Sequence, residues 1–469
     1  MNKKYKTLIS NTAIFAVGNL LVKLIAFFLM PLYTSVLTTE QYGISELLNS
    51  SIEIVLPIFT LSIIEALYRF SIDKNADHSS LFANSLSIVV IGDIVVVFIC
   101  VIIWILFDYQ YSFEFGLLYC STTLYKLTIQ FARGLGHSKR YALYGVLNAL
   151  ILVLSNCILL VVLHGGIKAY LLSFAISHGV VGIIALFASG EYKFLKATKL
   201  NTPLLKTMIQ YSLPGIPNML SWWVNSVSDR YIILLFMGSG VAGLYTAASK
   251  LPAMINIVTS IFQQAWQFST ATEIDKKDNK SFFSNVFMAY SFTCLLVCTV
   301  LVALNKVVCA VLLKSDFYIA WKFVPLLLLA ATFGCYSTYF GTFYNAMKNN
   351  KMLMVSTIVG AIVNLVLNFT LIPFLGGIGA AIATVVSYAI VLIIRVVDIN
   401  KILSLDIPYK KWIVQMAVVT LYSLTATYVD SNIVCFFTII PIVVIFIMNL
   451  DFIKDCYRLG IKRFSKFQK

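Results

Sequence analysis

The sequence consists largely of apolar stretches of about twenty residues joined by short polar connections. A helix needs about 20 mostly apolar residues to cross the hydrocarbon core of a bilayer, where only helices and closed barrels satisfy the backbone. The pattern therefore predicts an all-α integral membrane protein. We expect about fourteen transmembrane helices, near residues 8–32, 42–67, 81–107, 113–133, 142–163, 168–189, 208–237, 242–268, 282–305, 317–341, 353–373, 378–397, 411–428 and 432–450.

Charged residues are too scarce for a water-facing surface. They make up 12% of the chain, whereas soluble domains carry roughly a quarter. This composition excludes a soluble enzyme and a disordered chain. The net charge of +15 could suit a nucleic acid, but the basic residues form no contiguous patch on a soluble surface. We therefore expect membrane lipids, and no nucleic acid, as partners.

The Lys and Arg residues are divided unequally between the two sides of the predicted membrane. When the N-terminus is placed in the cytoplasm, every inner connection carries at least two positive charges and most outer connections carry none. The positive-inside rule then supports fourteen spans with both termini in the cytoplasm. The basic tail fits a topology determinant, and the alternative is binding of anionic lipid headgroups.

Two parts of the chain share a pattern of helix, short outer turn, glycine and tyrosine, then helix. These are Asn11 to Asn49 and Ser212 to Lys250, and both begin on the cytoplasmic side. Parallel repeats of this kind build transporters that bind substrate near the midplane between pseudo-symmetric lobes around a central cavity. We predict an N-terminal lobe at 1–190, a cytoplasmic linker at 191–206, a C-terminal lobe at 207–397, additional spans at 398–450 and a basic cytoplasmic tail at 451–469.

Several cations fall inside predicted spans, where a charge costs about 2.5–3.5 kcal/mol on insertion scales. Such residues normally face a cavity or a partner, and a cavity lined by cations suits an anionic substrate. The alternative is that each cation pairs with an intramembrane carboxylate and holds helices together. The candidate substrate-binding residues are Lys23, Lys126, Asp229, Arg230 and Lys250.

Carboxylates also occur within the spans. Glu46, Asn49 and Glu53 are spaced i, i+3 and i+7, which places them on one face of the second span, and Pro57 should kink the helix just beyond them. A buried carboxylate can take up a proton reversibly. Glu46, Glu53 and Asp93 are therefore candidates for coupling to a proton or sodium gradient, and a polar face packed against a cation is the alternative.

A series of short motifs lies in the middle of the chain. They are Leu213-Pro214, Pro217, Trp222 or Trp223, Asp229-Arg230, Gly243-Leu244-Tyr245 and Ala248-Ser249-Lys250. Together with Lys23, Pro31 and Tyr42-Gly43 near the start of the chain, this series resembles the Wzx-type polysaccharide flippases, although the proline that often follows Gln264-Ala265-Trp266 is absent. These flippases are the O-antigen and capsule repeat-unit exporters of the multidrug/oligosaccharidyl-lipid/polysaccharide superfamily.

The resemblance implies a two-lobed bundle of fourteen helices in a bacterial inner membrane. It implies alternating-access transfer of an undecaprenyl-pyrophosphate-linked oligosaccharide from the inner to the outer leaflet, for O-antigen, lipopolysaccharide or capsule biosynthesis. Lys23, Asp229, Arg230 and Lys250 are the positions that match the family motifs. We expect a monomer that is not an enzyme, has no catalytic residues, metal or cofactor, and works beside glycan polymerase machinery.

Two alternatives remain open. A multidrug or cation antiporter of the same superfamily would present an anionic cavity to cationic substrates. A membrane-embedded glycan polymerase or ligase would usually carry a large outer loop for chemistry, but the largest outer connection expected here, about 306–316, is short.

Overall fold

The computed structural model describes residues 25, 27–73, 75–188, 190, 192–195, 200–274, 279–347, 351–429 and 439–450. Lys23, most of the first predicted span, part of the last one and the basic tail lie outside these residues. Every regular element in the described ranges is a helix. The α-helices are α1 (Met30–Val36), α2 (Thr39–Phe59), α3 (Ile63–Ser71), α4 (His78–Phe107), α5 (Ser112–Gly134), α6 (Ser138–Asn156), α7 (Gly166–Ala188), α8 (Tyr192–Leu195), α9 (Thr202–Ser212), α10 (Ile216–Ser249), α11 (Ala253–Glu273), α12 (Asn279–Ala303), α13 (Asn305–Leu312), α14 (Val324–Ala346), α15 (Lys351–Leu403), α16 (Tyr409–Tyr428) and α17 (Ile439–Met448).

Local sequence signals set where the helices begin. Thr38 caps α2 in a reciprocal capping box with Gln41, and the Asp77 carboxylate caps α4 by accepting from the Ser80 backbone N–H. Such caps satisfy backbone donors that a helix start leaves open. The first turns of α4 are also tied to the chain before α9, because Asn84 exchanges two hydrogen bonds with the backbone of Asn201, at 2.9 and 3.1 Å.

The predicted second span is bent rather than straight. Helices α2 and α3 meet at 69°. Pro57 stays inside α2, and the break follows at Thr60–Ser62, where Leu61 and Ser62 both adopt positive φ. Because the proline lacks an N–H and crowds the preceding turn, it weakens the helix, and the chain leaves helical geometry a few residues later.

Seven helices are long and apolar enough to cross a membrane, or eight if the bent pair α2–α3 counts as one span. Two of these seven contain a glycine break, Gly238 in α10 and Gly376 in α15. At about 1.5 Å per residue, the 53 residues of α15 would be about 80 Å long if straight, well over twice the hydrocarbon thickness. Its two arms correspond to the spans predicted at 353–373 and 378–397. The all-α membrane fold is confirmed, and the count of fourteen spans stays a prediction.

The chain divides into two compact units, through Tyr231 and from Ile232 onward. In the first unit α5 packs along α7, where a Cβ on Gly182 would lie only 3.1 Å from the Tyr125 backbone nitrogen. In the second unit α14 is the central helix and contacts α11, α12, α15 and α16. The unit boundary falls inside α10 and not in the connection at 191–206. The predicted lobes and linker therefore stay predictions.

The centre of the second unit is aromatic and contains a buried cation, Arg395. Trp266 stacks on Tyr339 with ring centroids 4.4 Å apart. Arg395 of α15 lies near the end of the span predicted at 378–397 and is 7% exposed. Its guanidinium donates to Ser337 O, Ser356 Oγ and Thr357 Oγ1, each at 2.9 Å. Arg395 therefore joins α14 to both arms of α15.

Candidate functional site

A buried carboxylate lies at the centre of the first unit. Glu46 of α2 is 6% exposed, and its Oε1 accepts from the Tyr170 hydroxyl at 2.7 Å and the Tyr42 hydroxyl at 3.4 Å. Tyr42 precedes Glu46 by one helical turn, whereas Tyr170 comes from α7. The Tyr33 ring of α1 packs 5.0 Å from Tyr170, and its hydroxyl accepts from Asn156 Nδ2. Glu46 is thus enclosed by three tyrosines, which we call the tyrosine cage.

The first half of α10 is fastened to α2 beside this cage. Trp223 Nε1 donates to the Ser50 carbonyl at 3.1 Å, and the Tyr231 hydroxyl donates to the Leu47 carbonyl at 2.8 Å. The Tyr231 hydroxyl also lies 2.7 Å from Ser51 Oγ. Trp223 therefore serves a packing role in this structure. These contacts fix the position of Asp229 and Arg230, which occupy the turn just before Tyr231.

Asp229 and Arg230 differ in their surroundings. Asp229 is 8% exposed, and its Oδ1 accepts from the Arg230 backbone N–H at 2.9 Å. Arg230 is half-buried and lies within electrostatic reach of Tyr42 in the tyrosine cage. The structure therefore places Arg230 beside the tyrosine cage, whereas Asp229 accepts from the backbone of its neighbour.

A cavity of about 340 Å³ lies in the same unit, and Lys126 of α5 lines it. Its other polar lining groups include Glu65, Gln130, Tyr125 and Tyr141. Lys126 is partly buried and interacts electrostatically with Glu53 and Glu65. Lys126 thus meets both interpretations from the sequence, since it lines a cavity that could hold an anion and also has carboxylates within reach.

The predicted stripe Glu46, Asn49 and Glu53 does not share one environment. Glu46 is buried, Asn49 is half-buried and Glu53 is exposed. A seven-residue spacing turns only about 20° around the helix, so Glu53 stays on the same face of α2 two turns further along, where it is exposed and lies within electrostatic reach of Lys126. Glu53 is therefore not a buried carboxylate in this structure.

The remaining candidates lie apart from the tyrosine cage. Asp93 of α4 is half-buried and accepts from the Thr123 hydroxyl at 2.9 and 3.2 Å, which joins α4 to α5. Lys250 belongs to the second unit, in the turn between α10 and α11, and is half-buried. The expectation that Lys23 and Lys250 line one cavity stays a prediction. Among the described residues no cluster of three or more His, Cys, Asp or Glu side chains could hold a metal ion.

Sequence reasoning missed the tyrosine cage. Tyr42 had been noted for its Tyr-Gly motif, but nothing linked it to Tyr33 and Tyr170, which are distant in the chain. The available signal was a four-residue spacing between Tyr42 and Glu46, which brings the two side chains to one helix face.

Comparison with known proteins identifies the family. A family model described as polysaccharide biosynthesis protein matches residues 8–268, more than half of the chain. The chain belongs to this family. The matched segment contains every candidate site residue, from Lys23 to Lys250. The resemblance inferred from the sequence motifs is therefore confirmed.

One curated relative is the probable low-salt glycan biosynthesis flippase Agl15 of Haloferax volcanii, 22% identical over 240 residues. That alignment covers 50% of this chain, and the chain spans about half the length of the relative. Among solved structures, the lipid II flippase MurJ in an inward closed conformation superposes with a TM-score of 0.68 at 14% identity, over 96% of this chain and 100% of that one.

A multidrug resistance MATE family transporter of the MOP superfamily, in an inward-facing conformation, gives a TM-score of 0.64 at 12% identity. The alignment covers 81% of this chain and 95% of the transporter. At these identities the likeness shows the fold alone. The chain therefore shares its fold with these two transporters.

Proposed function

We propose that the protein is a flippase that moves a polyprenyl-pyrophosphate-linked oligosaccharide from the inner to the outer leaflet for surface polysaccharide biosynthesis. The observation that carries this proposal is the family match over residues 8–268, which includes α2, α5 and α10 with their intramembrane charges. The glycan flippase named in the curated relative supports the same activity. Alternating access between the lobes is the transport mechanism.

The chemistry of the substrate explains the cations. A pyrophosphate carries negative charge through a region where an unpaired ion is prohibitively costly, so its path needs cations and water. Lys126, at a cavity of about 340 Å³, and Arg230, beside the tyrosine cage, are suited to this task. We assign Lys23, Asp229 and Lys250 to the same headgroup path, while the lipid tail stays in the bilayer.

Ion coupling belongs to the carboxylates in this proposal. Glu46, Glu53 and Asp93 are the groups that would bind a proton or sodium ion, with no other cofactor. Glu53 is the most accessible of the three and lies near Lys126, so it links the ion to the substrate path. Glu53→Gln should reduce transport driven by a gradient, and unchanged gradient dependence would remove this role.

The protein would be a monomer in the bacterial inner membrane, with both termini in the cytoplasm, that passes its substrate to a glycan polymerase without catalysing a reaction. A multidrug or cation antiporter is the second candidate, because the MATE family transporter shares the fold. Uptake of cationic dyes with no movement of lipid-linked glycan would favour the antiporter. Polymerised glycan made by the purified protein would instead indicate a polymerase or ligase.

A reconstituted assay tests the flippase directly. Liposomes with the purified chain and a fluorescent polyprenyl-pyrophosphate oligosaccharide would be exposed to an impermeant quencher, and the protected fraction followed over time. Lys126→Ala and Arg230→Ala should slow translocation about tenfold or more, the effect of losing about 1.4 kcal/mol. Exposed cations supply matched controls, Lys401→Ala and Arg69→Ala. Equal rates in all four variants would refute the cationic path, and no translocation by the wild type would refute the flippase.

A further inference from the structure

An apolar groove of about 640 Å³ lies between α4 and α5, apart from the candidate site. Its walls carry large apolar side chains that are 40–76% exposed, including Val97, Trp104 and Phe113. The floor contains the buried Cys100 and Gly116, where a Cβ would meet Cys100 Sγ at 3.7 Å. Because Gly116 has no side chain, the groove keeps a depth that suits a hydrocarbon chain.

The mouth of the groove lies next to the turn between α4 and α5, which is aromatic and polar. Tyr109 and Tyr111 pack edge to face at 5.6 Å, and Gln110 Nε2 donates to the Tyr111 hydroxyl at 2.9 Å. Trp104 lies one turn before this end of α4. Tyr and Trp concentrate at the membrane–water interface, so the mouth of the groove lies at the level of lipid headgroups.

Two opposite charges also line the groove. Lys168 Nζ of α7 lies 3.4 Å from Glu114 Oε1 of α5. The Lys168 side chain is 51% exposed, whereas the Glu114 side chain is only 9% exposed. The other oxygen, Glu114 Oε2, is buried and accepts no hydrogen bond from the residues that the structure describes. A buried carboxylate oxygen without a donor costs about 1–3 kcal/mol or more, so this position favours a ligand that donates.

We propose that this groove binds one phospholipid whose headgroup carries a primary ammonium beside its phosphate. One acyl chain fills the apolar groove, the lipid ammonium donates to Glu114 Oε2, and the lipid phosphate faces the exposed ammonium of Lys168. The charges of protein and lipid are complementary at both positions. A choline headgroup has no N–H to donate, and a glycerol headgroup brings no positive charge to the carboxylate, so both bind more weakly.

Headgroup selectivity tests the proposal on the wild-type chain. The protein would be purified into nanodiscs made from equal parts of phosphatidylethanolamine, its mono- and dimethyl derivatives, phosphatidylcholine and phosphatidylglycerol. Retained lipids would be counted by native mass spectrometry after gentle removal of the bilayer. We expect one retained phosphatidylethanolamine, with affinity falling along the methylation series to about tenfold less for phosphatidylcholine. Equal retention of all five lipids, or a preference for phosphatidylglycerol, would overturn the proposal.

A substitution at Glu114 then tests whether the lipid binds in this groove. Glu114→Gln should remove the preference for phosphatidylethanolamine over phosphatidylcholine, because the carboxylate charge is lost while the side-chain shape is kept. Asp108→Asn is the matched control, since Asp108 is an exposed carboxylate at the same end of α4 with a left-handed backbone that Asn tolerates. Unchanged selectivity in Glu114→Gln, or equal loss in both variants, would show that the lipid binds elsewhere and would refute this site.

Discussion

The buried guanidinium of Arg395 supports a quantitative prediction about the second unit. Its three hydrogen bonds of 2.9 Å run to Ser337, Ser356 and Thr357. Arg395→Lys keeps the charge but replaces a planar fork with a single ammonium, which can satisfy about one of the three acceptors. Loss of two bonds costs about 1–3 kcal/mol, because polar contacts within membranes average ~0.6 and reach ~1.7 kcal/mol each.

Buried thiols provide the assay. Cys294, Cys298, Cys309 and Cys335 are buried in the second unit, so a thiol-reactive dye reports its unfolding as the temperature rises. For a unit of this size about 2–4 °C accompanies each kcal/mol, which predicts a midpoint lower by about 2–12 °C for Arg395→Lys. Translocation by the folded protein below that temperature should be unchanged.

The exposed Arg69, which forms a 3.0 Å ion pair with Asp73, supplies the matched control. Arg69→Lys should move the midpoint by less than Arg395→Lys and by no more than about 4 °C, because an exposed pair contributes about 0–1 kcal/mol and Lys keeps the charge. Identical midpoints for Arg395→Lys and the wild type would refute the view that the guanidinium fork stabilises α14 against α15.

Three further predictions concern the first unit. Tyr170→Phe removes the 2.7 Å bond to Glu46 and should destabilise the chain by about 1 kcal/mol in detergent unfolding. In a Glu46→Ala background, which has no acceptor for the Tyr170 hydroxyl, the same change should cost less, and an equal cost would contradict the role of this bond. Gly92→Ala would put a Cβ 2.4 Å from the Phe59 carbonyl oxygen and should cost about 1–3 kcal/mol, whereas Gly215→Ala meets open space and should be neutral. Asp77→Ala should cost about 1 kcal/mol at neutral pH through loss of the α4 cap. Hydrogen bonds from Ser80 lower the pKa of Asp77. The stability that the Asp77 carboxylate contributes is therefore present above the ordinary carboxyl pKa and is lost as the pH falls through the lowered pKa. If the destabilisation caused by Asp77→Ala does not shrink in acid, this explanation is wrong.

Much of the helical architecture could be predicted from hydropathy alone, because membrane helices need long apolar runs. The exact breaks could not. Pro57 indicated a kink, but the chain turns at Thr60–Ser62, since tertiary packing decides where a weakened helix opens. The break at Gly376, in contrast, lies in the turn predicted between the spans at 353–373 and 378–397.

Among the charged residues, too, some features could be predicted from the sequence and others could not. Glu46, Lys126 and Arg230 were found because ionised groups stand out in apolar runs. Their neighbours were not, because Tyr170 reaches Glu46 from a helix more than a hundred residues away. Arg395 was not singled out, since sequence alone does not show that hydroxyls and a carbonyl of two helices converge on one guanidinium. Glu53 was expected to be buried because it shares a helix face with Glu46, but burial of each turn depends on which neighbouring helices cover it, and Glu53 is exposed.

The length of α4 has a consequence for membrane thickness. Asn84 anchors the first turns of the helix to Asn201, and the 30 residues of α4 extend about 45 Å. The hydrocarbon core is about 30 Å thick, so hydrophobic mismatch must be absorbed by tilt or local bilayer deformation. Because Asn84 holds the first turns, that adjustment falls on the opposite, more exposed end near Phe107, where the apolar groove opens. Bilayers of different acyl length should therefore change lipid occupancy of the groove before they disturb the tyrosine cage.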